Sequence, residues 1–210
     1  VSLLMSVKLS FTALSAETLT PDGKDSLLIG QRQQALQERL VNDIVQAFSA
    51  EMESLGTFKL EREHAPDLLG CVRTVLNELA ATASLHKVNL QLDPETDCSR
   101  DWKVVGERLR LQRVILNLVE NALLHGQGAV HIATGGTSRR VWLTVCDQGP
   151  GPSANLRINA FERFVRGDGS KGSGLGLSVA SDIAVQLCGT LEWEEGSTIR
   201  LTLPASEADL

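Results

Sequence analysis

Tyrosine is absent from the 210 residues, and aromatic side chains make up only 4% of them. The chain therefore offers no tyrosine as a phosphoacceptor. Nowhere does an apolar run reach the roughly 18 residues that a membrane-spanning helix needs, and no secretory leader is visible. The four cysteines, Cys71, Cys98, Cys146 and Cys188, lie far apart, and no pair has the close spacing of a metal or redox motif. They read as buried free thiols in a reducing compartment. Basic residues number 20 against 26 acidic ones, a net charge of −6, which argues against a general nucleic-acid or membrane-surface binder. The first residue is Val1 rather than methionine, so the chain is expected to be part of something longer, and any sensor or membrane segment would lie in parts of the parent outside it. Hydrophobic residues at 42% are enough for a real core and argue against disorder. The length suits one ordinary domain plus a smaller element.

In chain order, Leu3, Leu4, Val7, Leu9, Phe11 and Leu14 recur at spacings of three and four, which predicts a helix over 2–16. Pro21-Asp22-Gly23 is turn chemistry, after which Asp25 or Ser26 caps a long second helix. Leu36, Leu40, Val41, Ile44, Val45, Phe48 and Met52 form the stripe of that helix. Two helices joined by a short turn cannot bury both stripes alone, so the hairpin either pairs with a second copy as a four-helix bundle or packs on its own C-terminal domain. The pattern divides the chain into a helical hairpin (1–56), a linker (57–64) with a short extended piece over 57–60, a larger domain (65–205) and a tail (206–210).

In the larger domain, Pro66-Asp67 opens a helix with the proline in its first turn, and Leu68, Leu69, Val72, Val75, Leu76 and Leu79 mark its buried face. Alternation over 87–92 predicts a strand, Val104-Val105 a short strand, and Glu107 or Arg108 the start of the next helix. Strands are expected over 129–134 and 141–146 with Gly135-Gly136 in the turn between them. A short helix within 152–171, a helix over 175–187 ended by Gly189, and a closing hairpin around Gly196-Ser197 follow. The fold class is α+β, with helices on one face of a largely antiparallel sheet.

Four short clusters punctuate this domain: Asn117-Leu118-Val119-Glu120-Asn121-Ala122, Asp147-Gln148-Gly149-Pro150-Gly151, Phe161-Glu162-Arg163-Phe164 and Gly172-Ser173-Gly174-Leu175-Gly176-Leu177. In this order they resemble the N, G1, F and G2 boxes of the histidine kinase ATP-binding domain, a member of the gyrase, Hsp90, histidine kinase and MutL (GHKL) superfamily. The resemblance covers roughly residues 60 to 204. It implies a two-helix dimerisation hairpin followed by an α/β sandwich of the GHKL ATPase (Bergerat) type, with ATP and Mg²⁺ as ligands.

On this resemblance Asn121 supports Mg²⁺, and Asn117, one turn earlier on the same helix face, serves the phosphate region. An amide oxygen is a hard neutral ligand that suits Mg²⁺. Asp147, at the end of an apolar strand, accepts the exocyclic amino group of adenine and rejects guanine, which presents a carbonyl there. Gly149 and Gly151 let the backbone approach base and ribose. The Gly172 to Gly176 run, with Gly174 and Leu175 inside it, opens a helix whose free N–H groups hold phosphate. Between F and G2 boxes lies a lid, Val165 to Lys171, short for the family. Arg163, Arg166 and Lys171 are its cations for the β and γ phosphates, and Phe161 and Phe164 anchor it by packing on the domain. Asn117, Glu120, Arg163 and Arg166 are thus the expected catalytic set. Two other glycine motifs fail: the G-x-G-x-x-G from Gly167 to Gly172 follows no strand, and no G-x-x-x-x-G-K-S/T is present.

Three departures from the family pattern matter. Leu124 stands where many relatives carry a phosphate cation, with His125 next to it as a partial substitute. Asn117 stands where the superfamily's hydrolases place a glutamate base, which favours a kinase. The phosphoacceptor histidine of the first hairpin helix falls on Lys8 in one alignment and Val7 in another. All four histidines, His64, His86, His125 and His131, lie in or beside the ATP domain. Three explanations stand: a histidine outside this chain, a regulatory pseudokinase that binds ATP, or phosphorylation of a separate protein. The leading expectation is a histidine kinase core that dimerises through the hairpin, passes phosphate to a response regulator receiver domain, binds no nucleic acid and meets a membrane only through segments outside this chain. Its location would be cytoplasmic, as the cytoplasmic part of an inner-membrane sensor where the parent has one. The alternatives are a pseudokinase acting by partner binding and, disfavoured because that class lacks the hairpin, an anti-sigma-factor-like Ser/Thr kinase.

Overall fold

The computed structural model describes residues 20, 23–34, 37, 65–93, 102–167 and 174–206. The expected helix over 2–16, the stripe from Leu36 to Met52, the linker, Cys98, Lys171, Gly172 and the end of the tail lie outside the described residues. The chain divides into two units, Val1–Ser49 and Ala50–Leu210, each treated by itself.

In the first unit residues 23–34 are helical. Its start corrects the sequence expectation of a cap at Asp25 or Ser26. The Gly23 N–H donates to Thr20 Oγ1 at 3.3 Å and the Lys24 N–H to the Thr20 carbonyl at 3.0 Å. Thr20 thus satisfies a donor of the first turn that would otherwise be orphaned, and it does so earlier than either proposed cap.

The second unit runs α1 (Leu68–His86), β1 (Leu90–Leu92), α2 (Arg108–His125), β2 (Val130–Gly136), β3 (Arg140–Cys146), α3 (Ala154–Asn159), α4 (Gly176–Gln186), β4 (Thr190–Trp193) and β5 (Ile199–Pro204). The sheet order is β1-β2-β3-β5-β4; β1 runs parallel to β2 and every other pairing is antiparallel. Strict alternation puts Val130 and Ile132, Val141, Leu143 and Val145, and Ile199, Leu201 and Leu203 on the buried side. Against that side pack α1 at β1, α2 at β2 and β3, and α4 at β4 and β5, with α2 between the other two helices. Leu111, Ile115 and Leu118 of α2 sit fully inside, each contributing about 1.5–3 kcal/mol by burial.

Local chemistry adjusts several boundaries. Asp67 caps α1, its Oδ2 accepting the Gly70 N–H at 2.6 Å, so Pro66 precedes the cap instead of occupying the first turn. Lys87 takes the left-handed conformation that ends α1, which shortens β1 to three residues. Lys103 and Val104 form isolated bridges to Asp67 and Ala205, not a strand. Gly135 and Gly136 belong to β2, where they pair with Trp142 and Val141. Aromatic rings occupy the room their missing side chains leave: a Cβ at Gly135 would meet the Trp142 ring at 2.5 Å, and one at Gly136 the Trp102 ring at 2.9 Å. The turn itself falls on 137–139. At the end of α4 the left-handed residue is Cys188 (φ 56°). Cys188 N–H donates to the Val185 carbonyl at 2.9 Å and Gly189 N–H to the Ala184 carbonyl at 2.8 Å, a Schellman closure. Cys71 is buried, whereas Cys146 is half-buried and Cys188 exposed, so burial of all the thiols does not hold.

Candidate nucleotide-binding site

Two loops leave the helix and strand that carry the first two clusters, and they lock onto each other. Residues 126–128 follow α2; residues 147–151 follow β3. Asp147 Oδ1 accepts the Gly149 N–H at 2.6 Å and the Gln127 N–H at 3.1 Å. The Gln148 N–H donates to the Gln127 carbonyl at 2.8 Å. A side chain at Gly126 would collide with Asp147, its Cβ 2.6 Å from Cγ. One carboxylate oxygen is thereby held by two backbone donors, and the other is left for something else. Gln127 was not legible as a participant, because its contribution is a main-chain N–H.

On α2, Asn117 is 7% exposed, and its Nδ2 is buried without a hydrogen-bond partner. A buried amide without a partner costs about 1–3 kcal/mol. Asn121 lies one turn on, half-buried, and Glu120 beside it is exposed. The separation of Glu120 from the Asn117–Asn121 line follows from helical geometry.

The β4–β5 turn closes the other side of the 147–151 loop. Ser197, 7% exposed, donates from Oγ to the Asp147 carbonyl at 2.5 Å, and Cys146 Sγ lies 3.3 Å from the same oxygen. Gly151 has φ 73°, and the Gly196 carbonyl occupies the space where a Cβ would stand, so only glycine fits. Gly149 is similarly tight, with Asp147 Oδ1 at 2.7 Å from a Cβ position. Sequence reading gave Gly196-Ser197 a turn role alone and missed this contact.

Phe161 is half-buried, its ring 6.5 Å from that of Trp193. Phe164 corrects an expectation: it is 68% exposed and does not pack on the domain. Its backbone is left-handed, with φ 65°, and its N–H donates to the Gly174 carbonyl at 2.9 Å. Gly174 has φ 75°, and a Cβ there would press on the Val165 carbonyl at 2.7 Å. The two ends of the glycine-rich segment are therefore joined. Leu175 is buried at the N-terminus of α4, and Gly176, its first residue, faces open space. Arg163 lies 3.3 Å from Asp182 of α4, both half-exposed, and Arg166 is exposed. Among the described residues no three His, Cys, Asp or Glu side chains gather as a metal site, and no helix is long and apolar enough to cross a membrane.

Residues 106–207 match the family described as histidine kinase-, DNA gyrase B-, and HSP90-like ATPase. The sensor-like histidine kinase SenX3 of Mycobacterium tuberculosis is 30% identical over 145 residues, 64% of this chain and 35% of SenX3. The adaptive-response sensory kinase SasA of Prochlorococcus marinus is 29% identical over 210 residues, 92% of this chain and 55% of SasA. The chain thus spans about a third to about half the length of these curated relatives. Among solved structures, that of full-length ShkA in complex with AMPPNP superposes with a TM-score of 0.66 at 23% identity, covering 98% of this chain and 43% of ShkA.

Proposed function

Because residues 106–207 belong to the histidine kinase-, DNA gyrase B-, and HSP90-like ATPase family and form a two-component histidine kinase catalytic domain, we propose that this chain binds Mg-ATP and transfers the γ-phosphoryl to a histidine. The observation that carries the reading is the Asp147 carboxylate, one oxygen fixed by the Gln127 and Gly149 N–H groups and the other available to adenine's amino group. The unpartnered Nδ2 of Asn117 and the cradle of Gly149, Gly151 and Gly174 fit a nucleotide lying beside α2. Asn121 would hold Mg²⁺, which when bound neutralises phosphate charge. Arg163, Arg166, Lys171 and the Gly172 to Gly176 backbone would bind the phosphates, with Glu120 at the periphery of the reacting groups.

In the transfer an imidazole nitrogen forms a bond to the γ-phosphorus as the bond to the β–γ bridging oxygen breaks. ADP leaves and the imidazole proton passes to solvent. The phosphoryl group then moves from nitrogen to an aspartate carboxylate of a response regulator. The hairpin would supply the homodimer contact, and the setting would be cytoplasmic. A second reading, an ATP-binding regulatory module, is favoured by one observation: Lys8 or Val7 stands where the hairpin histidine belongs.

The test is incubation of the purified chain with γ-labelled ATP and Mg²⁺, with and without added histidine-bearing partner, using Asn121→Ala as control. Acid-labile label that the control loses supports the kinase. ATP binding without any label favours the regulatory module. Absence of ATP binding refutes both readings.

A further inference from the structure

Arg157 belongs to α3, is half-buried, and directs all of its hydrogen bonds at main-chain carbonyls. Nε donates to Pro152 at 3.3 Å, one terminal nitrogen to Glu194 at 2.7 Å, and the other to Gly196. Its guanidinium carbon stands 5.9 Å from the centre of the Trp193 ring. These carbonyls come from two segments, the end of the loop that begins at Asp147 and the β4–β5 turn. That turn in its own right touches the loop twice. Ser197 Oγ donates to the Asp147 carbonyl at 2.5 Å, and the Gly196 carbonyl fills the space beside Gly151. The stretch from Asp147 to Pro152 is therefore gripped at its start, near its end and at its end, and the guanidinium ties the grips together. A planar fork with several fixed donors spans separate carbonyls in this way; a single ammonium reaches fewer of them.

We propose that Arg157 is a positioning residue for adenine recognition: by joining Pro152 to the β4–β5 turn it holds Ser197 and Gly196 where they fix Asp147 and Gly151. The inference rests on the reading of Asp147 as the base contact. Arg157 itself stands behind the loop and acts through it. A base-reading carboxylate is sensitive to displacement, since misplacement by about 1 Å costs up to about a hundredfold at a preorganised site.

The experiment uses the whole chain with Arg157→Leu and Arg157→Lys, and Arg110→Leu as a control. Arg110 is a buried arginine bonded to Glu107 and Gln186, away from the loop. Calorimetric titration gives the affinities for ATP and GTP, and thermal melting without nucleotide gives stability. With Arg157→Leu, ATP affinity should fall about tenfold and GTP affinity less, so that the preference for ATP shrinks. Arg157→Lys should fall between, and Arg110→Leu should lower the melting temperature with the preference intact. Should the leucine variant fail to fold, the lysine variant decides. An ATP preference unchanged within about twofold in the folded Arg157 variants, alongside a lowered melting temperature, overturns the proposal and leaves Arg157 structural. A wild-type chain that binds ATP without preference over GTP instead overturns the assignment of Asp147, and the inference with it.

Discussion

Replacing Asp147 with asparagine tests the base contact with almost no change in shape. Oδ1 accepts the Gly149 N–H at 2.6 Å and the Gln127 N–H at 3.1 Å. In Asp147→Asn the amide oxygen must stay on that side, because turning the NH₂ there would aim a donor at two donors. The NH₂ then takes the place of Oδ2, where it meets the amino group of adenine, again donor against donor. The loss comprises a hydrogen bond to a charged acceptor, about 1.5–3 kcal/mol, and unmatched donors at about 1–3 kcal/mol. A total of about 2.5–6 kcal/mol corresponds to ATP binding weaker by about seventyfold to about twenty-thousandfold. Guanine presents a carbonyl to the new donor, so GTP should lose far less and the preference should narrow or invert. The fold should survive, because Ser197 grips the main-chain carbonyl of Asp147 and not its side chain. Titration calorimetry with Mg-ATP and Mg-GTP, checked by thermal melting, reads all of this. An ATP affinity within about threefold of wild type, in a protein of unchanged stability, would refute the argument.

Cys188 occupies a left-handed position at φ 56°, where a non-glycine residue costs about 1–2 kcal/mol. Cys188→Gly should raise stability by up to about 1 kcal/mol after glycine's own entropy cost, a gain of about 2–4 °C in melting temperature for a chain of this size; a lower melting temperature would count against the Schellman assignment. Burial pushes the Cys71 thiol from 9.0 up to about 11, with Asp67 adding to the rise and Arg108 opposing it. Below pH 9 both folded and unfolded thiols are protonated; above it the unfolded thiol ionises first. Wild type should therefore lose stability relative to Cys71→Ala between pH 9 and about 11, a difference that denaturant midpoints across that window will reveal or exclude.

Chemistry carried by side chains in regular order was legible in the sequence. The stripe of α1 follows from the helical period, and the alternation of β3 and β5 from the two-residue period of a strand. Asp147, Gly151 and Gly174 stood out because turn and glycine chemistry is local. What escaped was contact between distant segments. Gly135-Gly136 reads as a turn by composition, yet Trp142 and Trp102 fill the missing side-chain space and keep both residues in the strand. Pro66-Asp67 reads as a helix opening, but the Asp67 carboxylate takes the cap and displaces the proline outward. Phe164 reads as an anchor, yet its ring is exposed, and the residue's tie to the fold is the main-chain bond from its N–H to the Gly174 carbonyl. Ser197, Gln127 and Arg157 act on or through main-chain groups, which leave no mark on residue pattern.

The bond between Phe164 and Gly174 also bears on how the segment between them tolerates change. The N–H of Phe164 is tied to the Gly174 carbonyl, so the chain leaves and rejoins the described fold at one point. The entropy of closing a flexible excursion grows only with the logarithm of its length, about 0.6 kcal/mol for each doubling. Changing the number of residues between Phe164 and Gly174 should therefore add little closure cost, with the bond between those two residues as the fixed point. The closure term thus constrains the spacing of these two residues along the chain only weakly.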